Sequence, residues 1–372
     1  MQPLTGIRVV DFSTLLPGPL ATLLLAEAGA EVIKIEPPGG EAMRGYPPFA
    51  GPESLIFALL NRGKQSRTVD LKAPGAVETL HALIREADVV VEQFRPGVMG
   101  RLGLDPETLR ALNPRLIVCA ITGYGQQGPA AMEAGHDINF QARAGLLGLG
   151  ADSAGAPPLS AALVADIAGG AYPAVMNILL ALRERDRSGQ GCYLDIGMAD
   201  NVLPFLLTAY AQATQGQRPT PGGELLTGGS PRYRLYRTRD GRYLACGALE
   251  QKFWENFCRL IELAPEYRDD SRDPAATTAA VAAIVATLKA ADWETILAGQ
   301  DTCCTVVATP EEALNDAQFR SRGLFDWQVA LHAHSPVPAL PLPLAPGFRR
   351  APGAEGYPAA DSPEEPDRHA DG

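Results

Sequence analysis

Three acid–base side chains stand where they could move a proton: His136, Asp166 and Glu250. His136 is one of five histidines and lies in the run Ala134-Gly135-His136-Asp137-Ile138-Asn139-Phe140. An imidazole gains and loses a proton near neutral pH, which suits it to general acid–base catalysis. The plainer alternative is a buried histidine holding one hydrogen bond. Asp166 comes just before a long apolar stretch, about 167–185, that reads as a helix, so its expected place is the N-cap. Capping alone would account for it. A helix start also presents unused backbone N–H groups and the positive end of the dipole, which can hold a negative oxygen as it develops on a substrate. Glu250 closes Gly247-Ala248-Leu249-Glu250, ahead of an amphipathic helix expected from about 252 to 263. It reads as an ordinary charge before a helix, or as a carboxylate facing the main site from a second domain.

Basic side chains form a second group. The segment Asn61–Lys72 carries Arg62, Lys64, Arg67 and Lys72 around a short strand expected over 68–71. Arg95 lies in the turn Gln93-Phe94-Arg95-Pro96-Gly97, with Arg101 close behind. The chain has 372 residues, 46% hydrophobic and 20% charged, with a formal net charge of −11. That acidity argues against a nucleic-acid or membrane-surface binder, so an anionic ligand needs a local basic site. Lys72, Arg95 and Arg101 are the candidates; in the two arginines a guanidinium fork meets a phosphate in bidentate fashion. Solvated surface charge is the alternative for each.

The six cysteines are scattered without a Cys-x-x-Cys pair, which points to reduced thiols and a cytoplasmic protein. No basic leader with an apolar core opens the chain, and no run is apolar for long enough to be read as a membrane span. Its last residues, Asp367–Gly372, match no peroxisomal or retention signal. Neither a metal nor a resident cofactor is expected.

The elements that must position these groups read as α/β. A strand at 7–12, a break at Pro17-Gly18-Pro19, a helix at 20–28 and a strand at 31–36 form a right-handed βαβ unit. No G-x-G-x-x-G follows the first strand, so a Rossmann-like fold is expected without a dinucleotide. Further strands are expected at 89–92, 116–122 and 193–196, and helices at 75–87 and 199–215. Ligands of such sheets bind beyond the strands' carboxyl ends, where Arg95 falls. Pro173 inside the 167–185 helix marks a kink or a later start. A Gly/Pro/Thr-rich stretch at 215–229 marks a boundary. Past it come a hairpin turning at Asp240-Gly241, helices through 275–298 and a short strand at 303–307. The expected organisation is a large Rossmann-like domain with a parallel sheet over 1–215, a smaller α+β domain over 225–325, and a segment 326–372 returning to the large domain. Residues 336–346 are expected to be extended and the last twenty or so to fray.

With these residues in place, the chain resembles the family III CoA-transferase (CaiB/BaiF) superfamily, from its start to about residue 350. The shared signatures are Leu4–Phe12 with Pro17-Gly18-Pro19, Asn61–Lys72, Arg95-Pro96-Gly97, Thr122-Gly123-Tyr124-Gly125 and Ser188–Gly191. They imply recognition of coenzyme A, brought as part of an acyl-CoA substrate, and leave the reaction open. Gly135–Phe140 and Gly247–Glu250 are similar to the α-methylacyl-CoA racemase branch. Phe140 ends the motif where tyrosine is usual, and Pro37 sits where a CoA-contacting arginine is looked for. The resemblance implies a two-base proton transfer at C2 of a 2-methyl-branched acyl-CoA, through an enolate. His136 and Asp166 would serve opposite faces, Glu250 would support His136, and backbone N–H groups near Asp166 would hold the enolate oxygen. Lys72, Arg95, Arg101, Gly135, Asp137 and Asn139 would contact the CoA ester. An interlocked homodimer is implied too, with each site between the large domain of one chain and the small domain of the other. The alternative in the same superfamily is a CoA-transferase, with Asp166 as the nucleophile that forms an anhydride. A binding protein without catalysis is the third reading.

Overall fold

Six parallel strands, β1 (Arg8–Asp11), β2 (Glu31–Glu36), β3 (Gln65–Thr68), β4 (Val89–Glu92), β5 (Ile117–Thr122) and β6 (Tyr193–Gly197), form the main sheet in the order β3-β2-β1-β4-β5-β6. The central β4 and β5 are buried along their whole length, which is why they read as unbroken apolar runs and not as alternating ones. The order reverses between β1 and β4, and that reversal opens a crevice beyond the strands' carboxyl ends. The computed structural model describes residues 2–151 and 155–359. The expected fraying of the tail, and Asp367–Gly372, lie mostly or wholly outside these.

The chain divides into two units, one of Met1–Ala144, Ser160–Phe205 and Ser321–Gly372, the other of Gly145–Leu159 and Leu206–Arg320. In the first, Pro17-Gly18-Pro19 does not break the chain ahead of a helix but opens one, Pro17–Glu27, because a proline at N1 gives up an N–H that has no helical partner anyway. The edge strand β3 lies three residues earlier than expected, over Gln65–Thr68. Arg62 and Lys64 are buried. Asp11, at the end of β1, is also fully buried and accepts hydrogen bonds from the Ser13 amide (2.8 Å), Thr22 Oγ1 (2.6 Å) and Lys64 Nζ (3.4 Å). Lys34 Nζ binds the Ser13 carbonyl (2.7 Å) and pairs with Glu41 (2.7 Å). Burial pushes the Lys64 ammonium down to about 7. This network clamps the loop after β1 to the helix that follows.

The long helix begins before Asp166. Leu163 is the N-cap of Val164–Asp166, a π-turn runs over Ile167–Ala171, and the α-helix resumes over Tyr172–Ser188 with Pro173 in its first turn. Asp166 is therefore inside the helix and does not cap it. The π-turn absorbs the proline. Counted as one, Val164–Ser188 is long and apolar enough to cross a membrane, contrary to expectation, and half of its most apolar window is buried within the chain. The late segment joins this unit through Arg349 Nε to Glu27 Oε1 (2.9 Å) and the Gly63 amide to the Gly356 carbonyl (2.8 Å).

The second unit holds an antiparallel sheet, β7 (Tyr233–Arg237), β8 (Tyr243–Gly247) and β9 (Cys304–Val306), in the order β9-β8-β7. Gly241, at φ +83°, makes the β7–β8 turn. One face of this sheet packs on a core containing Trp254, Phe257, Val281 and Trp293. Tyr233, Leu235, Tyr243 and Val307 are exposed.

Candidate active site

The helix Asp137–Ala144 sets His136 at its start. The His136 carbonyl accepts the amides of Asn139 (2.8 Å) and Phe140 (3.3 Å), and Asn139 Oδ1 accepts the His136 amide in return (3.0 Å). This reciprocal arrangement fixes the backbone of the histidine. Phe140 is buried and packs edge-on to Tyr124, with centroids 5.2 Å apart. Its ring leaves no room for a side chain at two glycines: a Cβ would stand 2.3 Å from it at Gly123 and 2.7 Å at Gly135. His136 is thereby held exposed on a cavity of about 400 Å³ beyond the ends of β4 and β5, whose lining includes Gln93, Arg95, Thr122, Gly135 and Asn139.

Asp137 turns the other way. It is buried, its Oδ1 accepts the Asp166 amide (3.0 Å), and its other oxygen accepts Gln141 Nε2. The residue beside His136 is thus stitched to Asp166. Its carboxylate serves the chain's own donors. The donors expected to hold an enolate oxygen are also engaged. The Asp166 amide is on Asp137, and the Ile167 amide is on the Leu163 carbonyl (3.0 Å). Burial pushes the Asp166 carboxyl up to about 6; the Asp137 charge adds to the rise and His136 opposes it. The cavity lining includes His136 and not Asp166.

Arg95 is exposed on the cavity. Arg101, in the last turn of Val98–Arg101, and Lys72, whose amide binds Asp70 Oδ1 (3.0 Å), are exposed and outside the lining. Glu250 occupies the N-cap of Gln251–Leu260 in the second unit and is exposed, with no capping hydrogen bond from its side chain among the described residues. Two residues of the first unit were not among the candidate site residues of the sequence, Thr122 standing there only within a family signature. Thr122 Oγ1 is buried at the cavity without a partner among the described residues. Glu92 is buried and pushed up to about 7 by that burial; the Phe94 amide on its Oε2 (2.7 Å) opposes the rise and Asp195 adds to it. Both end apolar strands, and a polar residue in that position was the signal.

A sheet of this order, with helices on its faces, defines an α/β fold of Rossmann-like topology. The chain belongs to CoA-transferase family III, whose model matches residues 4–360. It is 35% identical over 357 residues to the alpha-methylacyl-CoA racemase of Homo sapiens, covering 94% of this chain and 90% of that one. It is 36% identical over 273 residues to the acetyl-CoA:oxalate CoA-transferase of Acetobacter aceti, covering 73% and 69%. The crystal structure of Rv3272 from Mycobacterium tuberculosis matches with a TM-score of 0.82 at 30% identity, covering 97% of each chain. Racemases and transferases match to similar degrees, so kinship defines the family and leaves the reaction to the site.

Proposed function

We propose that the protein inverts the configuration at C2 of a 2-methyl-branched acyl-CoA by two-base proton transfer. The observation that carries this reading is the stitched pair: His136 exposed on the cavity, and Asp166 tied to its neighbour with a carboxyl pushed up to about 6. The thioester acidifies the C2 hydrogen, one group removes it, and the conjugate acid of the other delivers a proton to the opposite face. Each group must then be usable in both protonation states, one for each direction. At neutral pH a carboxyl titrating near 6 is protonated roughly a tenth of the time, against less than about one part in a thousand at the ordinary aspartate value of 3.8. The half-burial and the neighbouring Asp137 charge suit that role better than attack on an acyl carbon, which needs an open, ionised carboxylate.

Arg95 is the cation on the cavity suited to a CoA phosphate, with Lys72 and Arg101 as outlying basic groups at the same end of the sheet. Glu250 would support His136 from the second unit of a partner chain in a cytoplasmic homodimer. Support for a second copy comes from Met176, Leu179 and Leu180, which are exposed at helical spacing on Tyr172–Ser188. The test runs in heavy water with a 2-methylacyl-CoA and no acceptor acid, following deuterium at C2 by mass. A parallel arm adds a carboxylic acid and looks for a new thioester. Incorporation without the acid supports the proposal. New thioester, blocked by Asp166→Asn and without exchange, would overturn it in favour of the transferase.

A further inference from the structure

The second unit carries a pair of thiols that the proposed reaction does not use. In the antiparallel pairing of β8 and β9, Cys246 stands directly opposite Cys304. The Gly247 amide donates to the Cys303 carbonyl (2.9 Å) and the Val307 amide to the Tyr243 carbonyl (2.9 Å). Hydrogen-bonded and non-bonded pairs alternate along such a ladder, so Cys246 and Cys304 form a non-hydrogen-bonded pair. In that kind of pair the Cα atoms are about 4.5 Å apart and the side chains are at their closest, inside the window of about 4.4–6.8 Å that a disulfide spans. The Cys304 thiol donates to the Thr302 carbonyl (3.4 Å); the nearness of the two thiols holds Cys246 below the usual thiol range and, with burial, pushes Cys304 up. Cys246 is buried and Cys304 half-buried, so a small oxidant has access to one of the two. Cys303 is exposed, but its register places it opposite Gly247 and not opposite a thiol.

We propose that Cys246 and Cys304 are a modification site that closes into an intrachain disulfide in the presence of a peroxide. Hydrogen peroxide transfers an oxygen to one of the two sulfurs, giving a sulfenic acid and one water. The other sulfur then attacks it and displaces the hydroxyl, which leaves as a second water with the attacking thiol's proton. Two thiols and one peroxide become one disulfide and two waters. The bond ties the edge strand β9 to the end of β8, immediately before Gly247–Glu250. A two-electron reductant such as dithiothreitol reopens it.

The test uses the full-length chain with hydrogen peroxide in modest excess, followed by alkylation with N-ethylmaleimide and peptide mapping by mass. The expected product has lost two hydrogens and two alkylatable cysteines and yields one cross-linked peptide joining Cys246 to Cys304, which dithiothreitol abolishes. Cys303→Ser, at an exposed position, should form the same link, and Cys304→Ser should not. A chain in which Cys246 and Cys304 both remain alkylatable after Cys303 has oxidised overturns the proposal, in the parent or in Cys303→Ser. A cross-link that includes Cys303 in place of either partner overturns it too.

Discussion

Replacing Asp166 by asparagine keeps the shape of the side chain and removes its capacity to carry a proton to or from carbon. With two bases on opposite faces, each enantiomer of a 2-methylacyl-CoA offers its C2 hydrogen to only one of them. In Asp166→Asn the enantiomer facing His136 still gives up its hydrogen and receives a solvent deuteron on the same face. The other enantiomer is inert. His136→Ala is expected to show the reverse choice. A general base contributes roughly 10²–10⁴-fold, so interconversion of the enantiomers should fall by at least about 10² in either variant. Exchange in the matched enantiomer should fall much less. The pH dependence follows from the same site. Asp166 is pushed up to about 6 and His136 opposes that rise, so removing His136 should shift the limb for Asp166-driven exchange above about 6, with activity growing as the carboxylate forms. The assay is deuterium incorporation into each pure enantiomer, read by mass, with configuration read on a chiral column. If both enantiomers lost exchange equally in both variants, the division of labour between the faces would be refuted.

Other consequences concern stability. The folded Asp166 carboxyl titrates above its ordinary 3.8, so the protonated form favours the fold, and that stability is lost as pH rises through about 4 to 6. About two pH units correspond to a ceiling near 3 kcal/mol, which solvent screening of the exposed third of the group reduces to about 1–2 kcal/mol. Asp166→Asn should therefore melt higher than the parent at neutral pH, with the gap closing towards pH 4; a gap independent of pH would count against this. Gly123→Ala should cost about 1–3 kcal/mol and disturb His136, because its methyl meets Phe140 at 2.3 Å. Phe140→Leu in the same chain should recover part of the melting temperature, and failure to do so would place the clash elsewhere. Asp11→Ala leaves Lys64 buried without its carboxylate and should cost about 3–5 kcal/mol in a denaturant titration. An unchanged midpoint would contradict the clamp.

Much of the sheet was legible because burial leaves its mark in local composition. Glu31–Glu36 and Val89–Glu92 carry apolar runs bounded by charge, and their limits are those expected. The edge strand β3 is polar and mostly exposed, so nothing in Gln65–Thr68 signals a strand, and the expected limits slid three residues late. His136 stood out by residue type. The Asp137–Asp166 link did not, because it joins positions 29 residues apart and no local pattern records which way a carboxylate turns. Asp166 was placed at a cap because the apolar run begins after it. The helix starts three residues earlier, and the π-turn that makes this possible leaves no periodic trace. Glu92 was hidden as the last letter of a strand, and Thr122 stood only at the head of a family signature.

The most direct measurement is a time course of one enantiopure 2-methylacyl-CoA in heavy water without an acceptor acid, following configuration and isotope together. The expected result is progressive loss of optical purity, with each inverted molecule carrying one deuteron at C2 from its first appearance. Unchanged optical purity and an unlabelled C2, in a chain that transfers CoA once a carboxylic acid is added, would contradict it.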